Sequence, residues 1–461
     1  MWPPPRETLD RPVYHSLAQS LMRAIAAGIV TPGTKLPPQR RLAFDLGVSV
    51  QTIGRAYEEL TRLGVISGQV GRGSFVLAKP TDATMPWQRP RQGEDVVDCS
   101  MLLPVTGQIQ TDHMSRVLRE MARGLPQEVL FSFRPRQALR DHCDQARIWL
   151  SGCGLDLDGP ERIVPTNGNT SAMLCALMTV ANPGDTIVAE NMGHHTLPPL
   201  TSSLGLKLQG LELDDQGILP DAFDRACRTG SVKALFVMPA GLGPTAHLMG
   251  AERRQALVQL ARKHDVWIVE NDAWGPLQEN RLPPIATLAP ERTFYFTGLS
   301  KCVLPGLRIA WLVTPGSHVH AARTRHLVTS WVATPLMAEI ASRWIADGTA
   351  QELLLWQRAQ LDRRRMLVTR LLQDQTHRLS AAGMHVWLPL PDPWQEDRFV
   401  AAARSAGVAV AGGARFAVEG GTHRAGVRIC LGGPSEARLE TAIKSLVHLV
   451  NADPAAVLPD N

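Results

Sequence analysis

Lys301 lies where the sequence predicts burial, an environment in which a charged lysine is energetically unfavourable. Lys301 follows the apolar run 292–296 and precedes the apolar run 309–313, so the pattern predicts a short loop between two buried strands. A buried ammonium is costly, and losing its proton makes the amine a nucleophile that forms Schiff bases with carbonyl groups. Seven residues later, Arg308 could hold a phosphate. A surface lysine at a strand end is the plainer interpretation, and the rest of the chain must decide between the two.

The composition is that of an ordinary soluble protein with room for two or three domains. The chain has 461 residues, of which 44% are hydrophobic and 20% are charged. It has no apolar run of transmembrane length, and its proline-rich start does not resemble a signal peptide, so we expect a cytoplasmic protein without a membrane partner. None of its cysteines forms a CxxC pair, and His195 and His247 lack metal-ligand spacing, so we expect no metal.

Positive charge is concentrated at the beginning of the chain. Residues 1–79 hold ten Lys and Arg against five Asp and Glu, a balance of +5, and the whole chain also carries +5. The remaining residues are therefore neutral in sum. This asymmetry favours an anionic polymer as the partner of the first part, although a charge excess alone is often only a solvated surface.

The basic part has the pattern of a winged helix-turn-helix. Apolar residues recur at helical spacing from Val13, and further helices are predicted through 38–46 and 50–63, the last with Ser49 as its N-cap. Residues 65–77 then predict a two-stranded hairpin. Two short helices joined by a tight turn and followed by a hairpin are typical of DNA-binding modules.

Residues 11–78 resemble the winged-helix domain of the GntR family of bacterial repressors. The resemblance rests on the motifs at 32–40, 46–49, 56–60 and 71–76. It implies that the third helix enters the major groove of an operator in double-stranded DNA. The residues with implied DNA roles are Arg40, Ser49, Gln51, Thr52 and Arg72. Gln51 can read adenine, whereas the arginines contact phosphate or the minor groove and set affinity and register.

The remainder of the chain predicts a linker and a large α/β domain. Residues 79–95 contain three prolines and no periodicity, which is typical of a tether. Within 96–452, strand-like runs alternate with helical stretches such as 251–263. This order predicts a mostly parallel sheet with helices on both faces, followed by a smaller α+β lobe.

Together with the lysine loop, this domain resembles the fold-type I aminotransferase domain of the MocR branch of the GntR regulators. The supporting motifs lie at 166–170, 182–185, 244–245, 270–277 and 300–308. The resemblance implies pyridoxal 5'-phosphate (PLP) as cofactor, with Lys301 as its Schiff-base lysine. It assigns the cofactor phosphate to Gly168, Asn169, Thr170, Ser300 and Arg308. It also assigns the carboxylate of an amino acid to Arg428.

Several polar positions of the implied site depart from the family pattern. The changed positions are His194 for the ring-stacking Tyr, Gly243 for an Asn, Asn271 for the Asp beside the pyridine nitrogen, Trp274 for a Tyr and Gly298 for a Ser. Because an Asn cannot supply an anion, we expect weakened electron withdrawal and weakened transamination. Asp272 is an alternative partner for the nitrogen, but neighbouring residues of a strand point to opposite faces.

The pattern as a whole predicts a regulator before an enzyme. The large domain would sense PLP, or an amino acid or amine through PLP, and a homodimer would present two winged helices to paired half-sites. Retention of Lys301, Arg308 and Arg428 keeps open an active aminotransferase with a DNA-binding head. A third possibility is a domain that has lost PLP and serves only to dimerise.

Overall fold

The chain folds into two compact units, Met1–Gln92 and Gly93–Asn461. The structure is a computed structural model, and it describes residues 2–9, 12–26, 29–31, 33–62, 65–69, 73–76, 96–241, 243–379, 383–418 and 425–454. The predicted linker 79–95 and the predicted DNA contact Arg72 lie outside the described residues.

The first unit has the predicted three helices and hairpin. They are α1 (Val13–Ala26), α2 (Gln39–Leu46), α3 (Val50–Arg62), β1 (Ile66–Gln69) and β2 (Gly73–Val76). The two strands are antiparallel, and the apolar faces of the helices form one core around Leu21, Leu42 and Ile53. The segment before α2 also joins the hairpin, because the N–H of Leu36 donates to the carbonyl of Ser74 at 2.8 Å.

The strands of the second unit are mostly short and buried. In chain order they are β3 (Val97–Asp98), β4 (Ile163–Thr166), β5 (Thr186–Glu190), β6 (Lys207–Leu211), β7 (Leu213–Asp214), β8 (Gly217–Ile218), β9 (Val232–Val237), β10 (Trp267–Asn271), β11 (Thr293–Gly298), β12 (Ala310–Val313), β13 (Arg378–Leu379), β14 (His385–Pro389), β15 (Val408–Ala409), β16 (Ala411–Gly412) and β17 (Gly426–Cys430).

Helices separate most of these strands. They are α4 (Gln108–Gly124), α5 (Gln127–Phe131), α6 (Arg136–Gly152), α7 (Asn169–Val180), α8 (Leu197–Ser203), α9 (Pro220–Thr229), α10 (Ala251–Lys263), α11 (Ile285–Leu288), α12 (Val319–Ser330), α13 (Pro335–Ala346), α14 (Thr349–Leu371), α15 (Glu396–Ser405) and α16 (Glu436–Val450). Helix α10 has the bounds predicted from its sequence.

The predicted mostly parallel sheet is confirmed. Among the described residues, its strands follow the order β4-β12-β11-β10-β9-β5-β6, and every neighbouring pair is parallel except the two pairs that involve β12. Helix α7 packs on one face of the sheet, whereas α9 and α10 cover the other. Because the carboxyl ends of parallel strands meet at one edge, the residues that follow β10 and β11 lie near each other.

The smaller α+β lobe follows the main sheet. Its antiparallel strands have the order β13-β14-β17-β16, and β15 pairs in parallel with β3, which comes from the beginning of the second unit. Helices α15 and α16 cover this sheet and bury Phe399 and Leu439. The lobe therefore contains residues from both ends of the second unit.

The contact between β11 and β12 leaves no room for a side chain at Gly298. A Cβ atom there would lie 2.6 Å from the carbonyl oxygen of Ile309 and 2.7 Å from the Cβ of Ala310. Gly298 and Ala310 are register partners of the antiparallel pair. This close approach is the physical reason for a glycine where the family resemblance implies a serine.

Replacing Gly298 by alanine should therefore destabilise the protein by about 1 to 3 kcal/mol, because overpacking forces the backbone to shift. The matched control is Gly306→Ala, where an added Cβ would meet no atom within 4 Å. The control should change stability by less than about 0.5 kcal/mol. Urea unfolding midpoints of both variants test this difference, and equal midpoints would refute the crowding.

Candidate functional site

Lys301 lies on the loop that joins β11 to β12, as its sequence pattern predicts. Its Nζ donates a hydrogen bond to the backbone carbonyl of Leu102. Burial, with the positive charges of Arg428 and Arg308, lowers the pKa of the Lys301 ammonium from 10.5 to about 8. A useful fraction of this amine is therefore neutral near physiological pH, which an ordinary surface lysine does not achieve.

The turn between β4 and α7 meets Arg308. Gly168 has a φ of 85°, and a Cβ atom there would lie 2.6 Å from Nη2 of Arg308. Arg308 itself has a left-handed φ of 49°, and its Nη2 lies 3.5 Å from the carbonyl oxygen of Asn167. Only a glycine allows the guanidinium to come this close to the helix start. The first amide groups of α7, at Asn169 and Thr170, therefore lie beside a fixed positive charge.

Two further polar atoms near this turn have no partner. The side-chain oxygens of Asn169 and Ser300 are buried and make no hydrogen bond within the described part of the chain. The first turn of α7 holds no acidic residue. Buried polar atoms without partners are uncommon, and a guanidinium, a hydroxyl and a helix start together suit an anion with several oxygens.

His194 and Asn271 lie on the same face of the sheet as α7. The His194 ring packs edge-on against Phe236 of β9 at 6.4 Å and stacks on His195 at 5.0 Å between ring centroids. Asn271 ends β10, and its Oδ1 accepts the N–H of Ala273 at 3.2 Å. Burial and the charge of Lys301 lower the pKa of His194 to about 4, so its imidazole is neutral. A flat, uncharged ring therefore lies beside the strand that carries Asn271.

The two neighbours of Asn271 that could substitute for lost polar groups are already bound. Asp272 accepts hydrogen bonds at 2.6 Å from both Arg281 and Tyr295, behind the candidate site. The indole N–H of Trp274 donates to the carbonyl of Ala240 at 3.2 Å. Oδ2 of Asp272 is therefore committed to Arg281 and Tyr295, and its Oδ1 is buried without a partner among the described residues. The Trp274 donor is already used.

Arg428 lies in the middle of β17 in the smaller lobe and is largely buried. Its Nη2 donates to the carbonyl of Ser100 at 2.9 Å, and its guanidinium stacks 4.5 Å from the Phe416 ring centroid. Its Nε has no partner within the described residues. Lys301 and Arg428 bind carbonyls only two residues apart, at Leu102 and Ser100, so the fold brings Arg428 close to the lysine loop. Its charge there lowers the pKa of both Lys301 and His194.

Sequence reasoning missed two features of this site. His195 stacks on His194 and packs edge-on against Phe416 at 6.4 Å, although its spacing gave no reason to single it out. Backbone carbonyls of residues 100–102 bind Lys301 and Arg428. A backbone carbonyl is present in every residue type, so the sequence carries no signal for this contact.

The predicted DNA-reading residues share one exposed end of α3. Ser49 caps the helix, because its Oγ accepts the N–H of Thr52 at 3.1 Å and also lies 2.8 Å from the Thr52 hydroxyl. Gln51 is exposed, and Val50 beside it is 46% exposed. Arg40 extends from α2 into solvent. A rigid helix start with exposed polar and apolar side chains can reach base edges in a major groove.

Comparisons with known proteins agree with both units. Residues 13–76 match the family model of bacterial regulatory proteins of the gntR family, and residues 108–446 match aminotransferase class I and II. The regulator YdeF of Bacillus subtilis is 28% identical over 94% of this chain and 93% of its own length. MocR of Rhizobium meliloti, named a probable rhizopine catabolism regulatory protein, is 26% identical over 66% of each chain. The chain belongs to the MocR type of GntR-family regulators.

Solved structures support the fold of the second unit of this MocR-type regulator. An archaeal alanine:glyoxylate aminotransferase has a TM-score of 0.71, with 23% identity, over 78% of this chain and 91% of its own. A kynurenine aminotransferase of Pyrococcus horikoshii has a TM-score of 0.70 over 77% of this chain and 91% of its own. At 23% and 21% identity, the likeness of these two structures shows the aminotransferase fold alone.

The DNA-binding unit of this MocR-type regulator allows a test that separates affinity from sequence reading. If Arg40 contacts a phosphate, as we predict, Arg40→Ala should weaken binding to all duplexes alike and reduce the slope of log affinity against log salt by about 1. Gln51→Ala should keep that slope and lose about 1 to 3 kcal/mol at one base pair. Titrations against an operator selected from a random duplex library measure both effects, and a changed salt slope in Gln51→Ala would contradict the assignment.

Proposed function

We propose that the second unit binds PLP through Lys301, and that PLP together with an amino acid or amine effector sets the DNA affinity of the winged helix. The observation that carries this proposal is the partly neutral amine of Lys301 beside an anion cradle made by Gly168, Asn169, Thr170, Ser300 and Arg308. One relative, of Corynebacterium glutamicum, is named PdxR, a pyridoxine biosynthesis regulator, at 26% identity over 86% of each chain.

The residues present fit the cofactor at its phosphate end and at its aldehyde end. When bound, PLP would supply an aldehyde for amines and a ring that withdraws electrons. The His194 imidazole would stack on that ring, and Asn271 and Trp274 would lie beside it. Arg428 would hold the carboxylate of an amino acid effector through its planar donors.

The same residues favour sensing over turnover. Asn271 cannot hold a proton on a ring nitrogen as a carboxylate does, and Asp272 is bound to Arg281 and Tyr295. An active aminotransferase is the second candidate, because Lys301, Arg308 and Arg428 are all retained and lie in one site. A domain that only dimerises would have no need of an anion cradle with unpartnered polar atoms.

An exposed apolar face supports the proposed homodimer. Phe131, Phe133 and Val328 are 80%, 84% and 72% exposed. Trp331 links Phe133 to the end of α12, which carries Val328, because its indole N–H donates to the carbonyl of Phe133 at 2.9 Å. Large apolar patches of this kind mark protein interfaces. A second copy of the chain would cover the face and place two winged helices on one operator.

The domain limits 11–78 and 96–452, the linker 79–95 and the cytoplasmic location belong to the same proposal. Within the described ranges, no helix has both the length and the apolar character that a bilayer crossing requires. An operator in double-stranded DNA, an amino acid or amine effector and a second copy of the chain are the proposed partners.

The first test is the visible absorption of the protein after PLP is added and the excess removed. An absorption band of lysine-bound PLP should form, and it should be missing in Lys301→Ala. Because the pKa of Lys301 is lowered to about 8, attachment should accelerate as pH rises from 7 and level off above about 9. Rates that keep rising to pH 10 would contradict a desolvated lysine, and the absence of any band would leave only the dimerising scaffold.

A second variant tests why this site should sense rather than turn over its ligand. Asn271→Asp keeps the Oδ1 acceptor for Ala273 and adds the missing negative charge. Each unit of pKa gained at the ring nitrogen should increase its protonated fraction about tenfold, and transamination with an amino donor and a 2-oxo acid should rise accordingly. Equal turnover in wild type and variant, at a rate typical of enzymes, would favour the aminotransferase instead.

A further inference from the structure

Residues 100–104, here called the strap, accept hydrogen bonds from the two side chains that the proposed ligands need. Lys301 donates to the carbonyl of Leu102, and Arg428 donates to the carbonyl of Ser100 at 2.9 Å. One short backbone segment therefore binds both the amine and the guanidinium, although they belong to different lobes.

Both ends of the strap are held in place. Before it, β3 pairs with β15, and the carbonyl of Cys99 accepts the N–H of Cys430 at 2.8 Å. After it, the carbonyl of Val105 accepts the side chain of Gln110 at 3.1 Å. Within the strap, few backbone groups form hydrogen bonds, and residues 100–103 are only partly buried. The strap can therefore move more easily than the paired segments on either side of it.

The proposed ligands compete with the strap at both contacts. When the Lys301 nitrogen condenses with an aldehyde, water leaves and a C=N bond replaces two N–H bonds, so a donor to Leu102 is lost. A carboxylate on Arg428 is a stronger acceptor than the neutral carbonyl of Ser100 and makes shorter bonds with a guanidinium. When both ligands are bound, the strap loses the Lys301 donor and shares the donors of Arg428 with the carboxylate.

We propose that the strap is a latch that ligand binding releases, and that its release is the signal which reaches the DNA-binding unit. The inference rests on the proposed function. In the sequence, the predicted linker 79–95 and then β3 precede the strap. A displaced strap would therefore act on β3, which joins it to the predicted linker.

Two adjacent glycines allow a test that leaves Lys301 and Arg428 untouched. A Cβ atom on Gly432 would overlap the carbonyl oxygen of Leu103 and lie 2.9 Å from the carbonyl carbon of Pro104. A Cβ atom on Gly433 would make only ordinary contacts, 3.5 Å from the Asp98 oxygen and 3.7 Å from a Leu103 methyl. Gly432→Ala should therefore displace the strap without a ligand, whereas Gly433→Ala should leave it in place.

The experiment is hydrogen exchange of the full-length protein, read in the peptide that covers 97–106. In the wild type, exchange should rise at least about tenfold with PLP and again with PLP plus glycine, whereas helix α10 should not change. Gly432→Ala should show the fast exchange without PLP and bind a selected operator as the PLP-loaded wild type does. Gly433→Ala should follow the wild type in both measurements.

The outcomes separate this inference from the proposed function. If lysine-bound PLP forms but exchange in 97–106 stays constant, the latch is refuted and the PLP site stands. If no lysine-bound PLP forms, both fail together. Should Gly432→Ala not fold, as circular dichroism would reveal, the exchange of the wild type with and without PLP decides alone.

Discussion

Three positive side chains gather at one end of the main sheet, and the cost of holding them there shapes the site. Lys301 and Arg428 are partly or largely withdrawn from water, and Arg308 lies against a helix start. Charges of like sign at close range oppose one another, so the lysine lowers its share of the cost by giving up its proton at a lower pH. The remaining cost can be offset by anions, and the cradle at Gly168 and Arg308 offers the geometry for one.

The polar groups around this positive cluster are neutral. Burial and the neighbouring cations keep His194 and His195 uncharged, with pKa values lowered to about 4 and about 2. Asn271 adds an amide where a carboxylate would balance the charge, and Asp272 is already shared by Arg281 and Tyr295. A site of this kind can hold an anionic ligand firmly, but it lacks the negative partner that would tune the electronics of a bound ring. This difference is the physical basis for proposing a sensor rather than a catalyst.

The two units divide the physical work. The first carries the net positive charge of the chain, which favours binding to a polyanion such as the DNA backbone. It also exposes the start of α3, which can contact base edges. The second is nearly neutral in sum, and it buries Arg428 and most of Lys301 at the site proposed for a small ligand. Because the strap lies at the beginning of the second unit, only a few residues of the chain separate the candidate site from the predicted linker to the first unit.

The sequence by itself determined the elements and the residues that carry the chemistry. The helical spacing in the first unit, the alternation of strands and helices, and Lys301 between two apolar runs are local patterns, and each of them appears in the fold within a few residues of its predicted place. The tertiary structure alone decided which polar groups remain available. Asp272, Trp274, Lys301 and Arg428 all bind partners that lie far away along the chain, and three of those partners include backbone carbonyls. Residue types carry no information about such contacts, because every residue has a carbonyl and only the packing of distant segments chooses which one is near. The same reason explains Gly298: its missing side chain is set by the approach of β12, which no local pattern encodes.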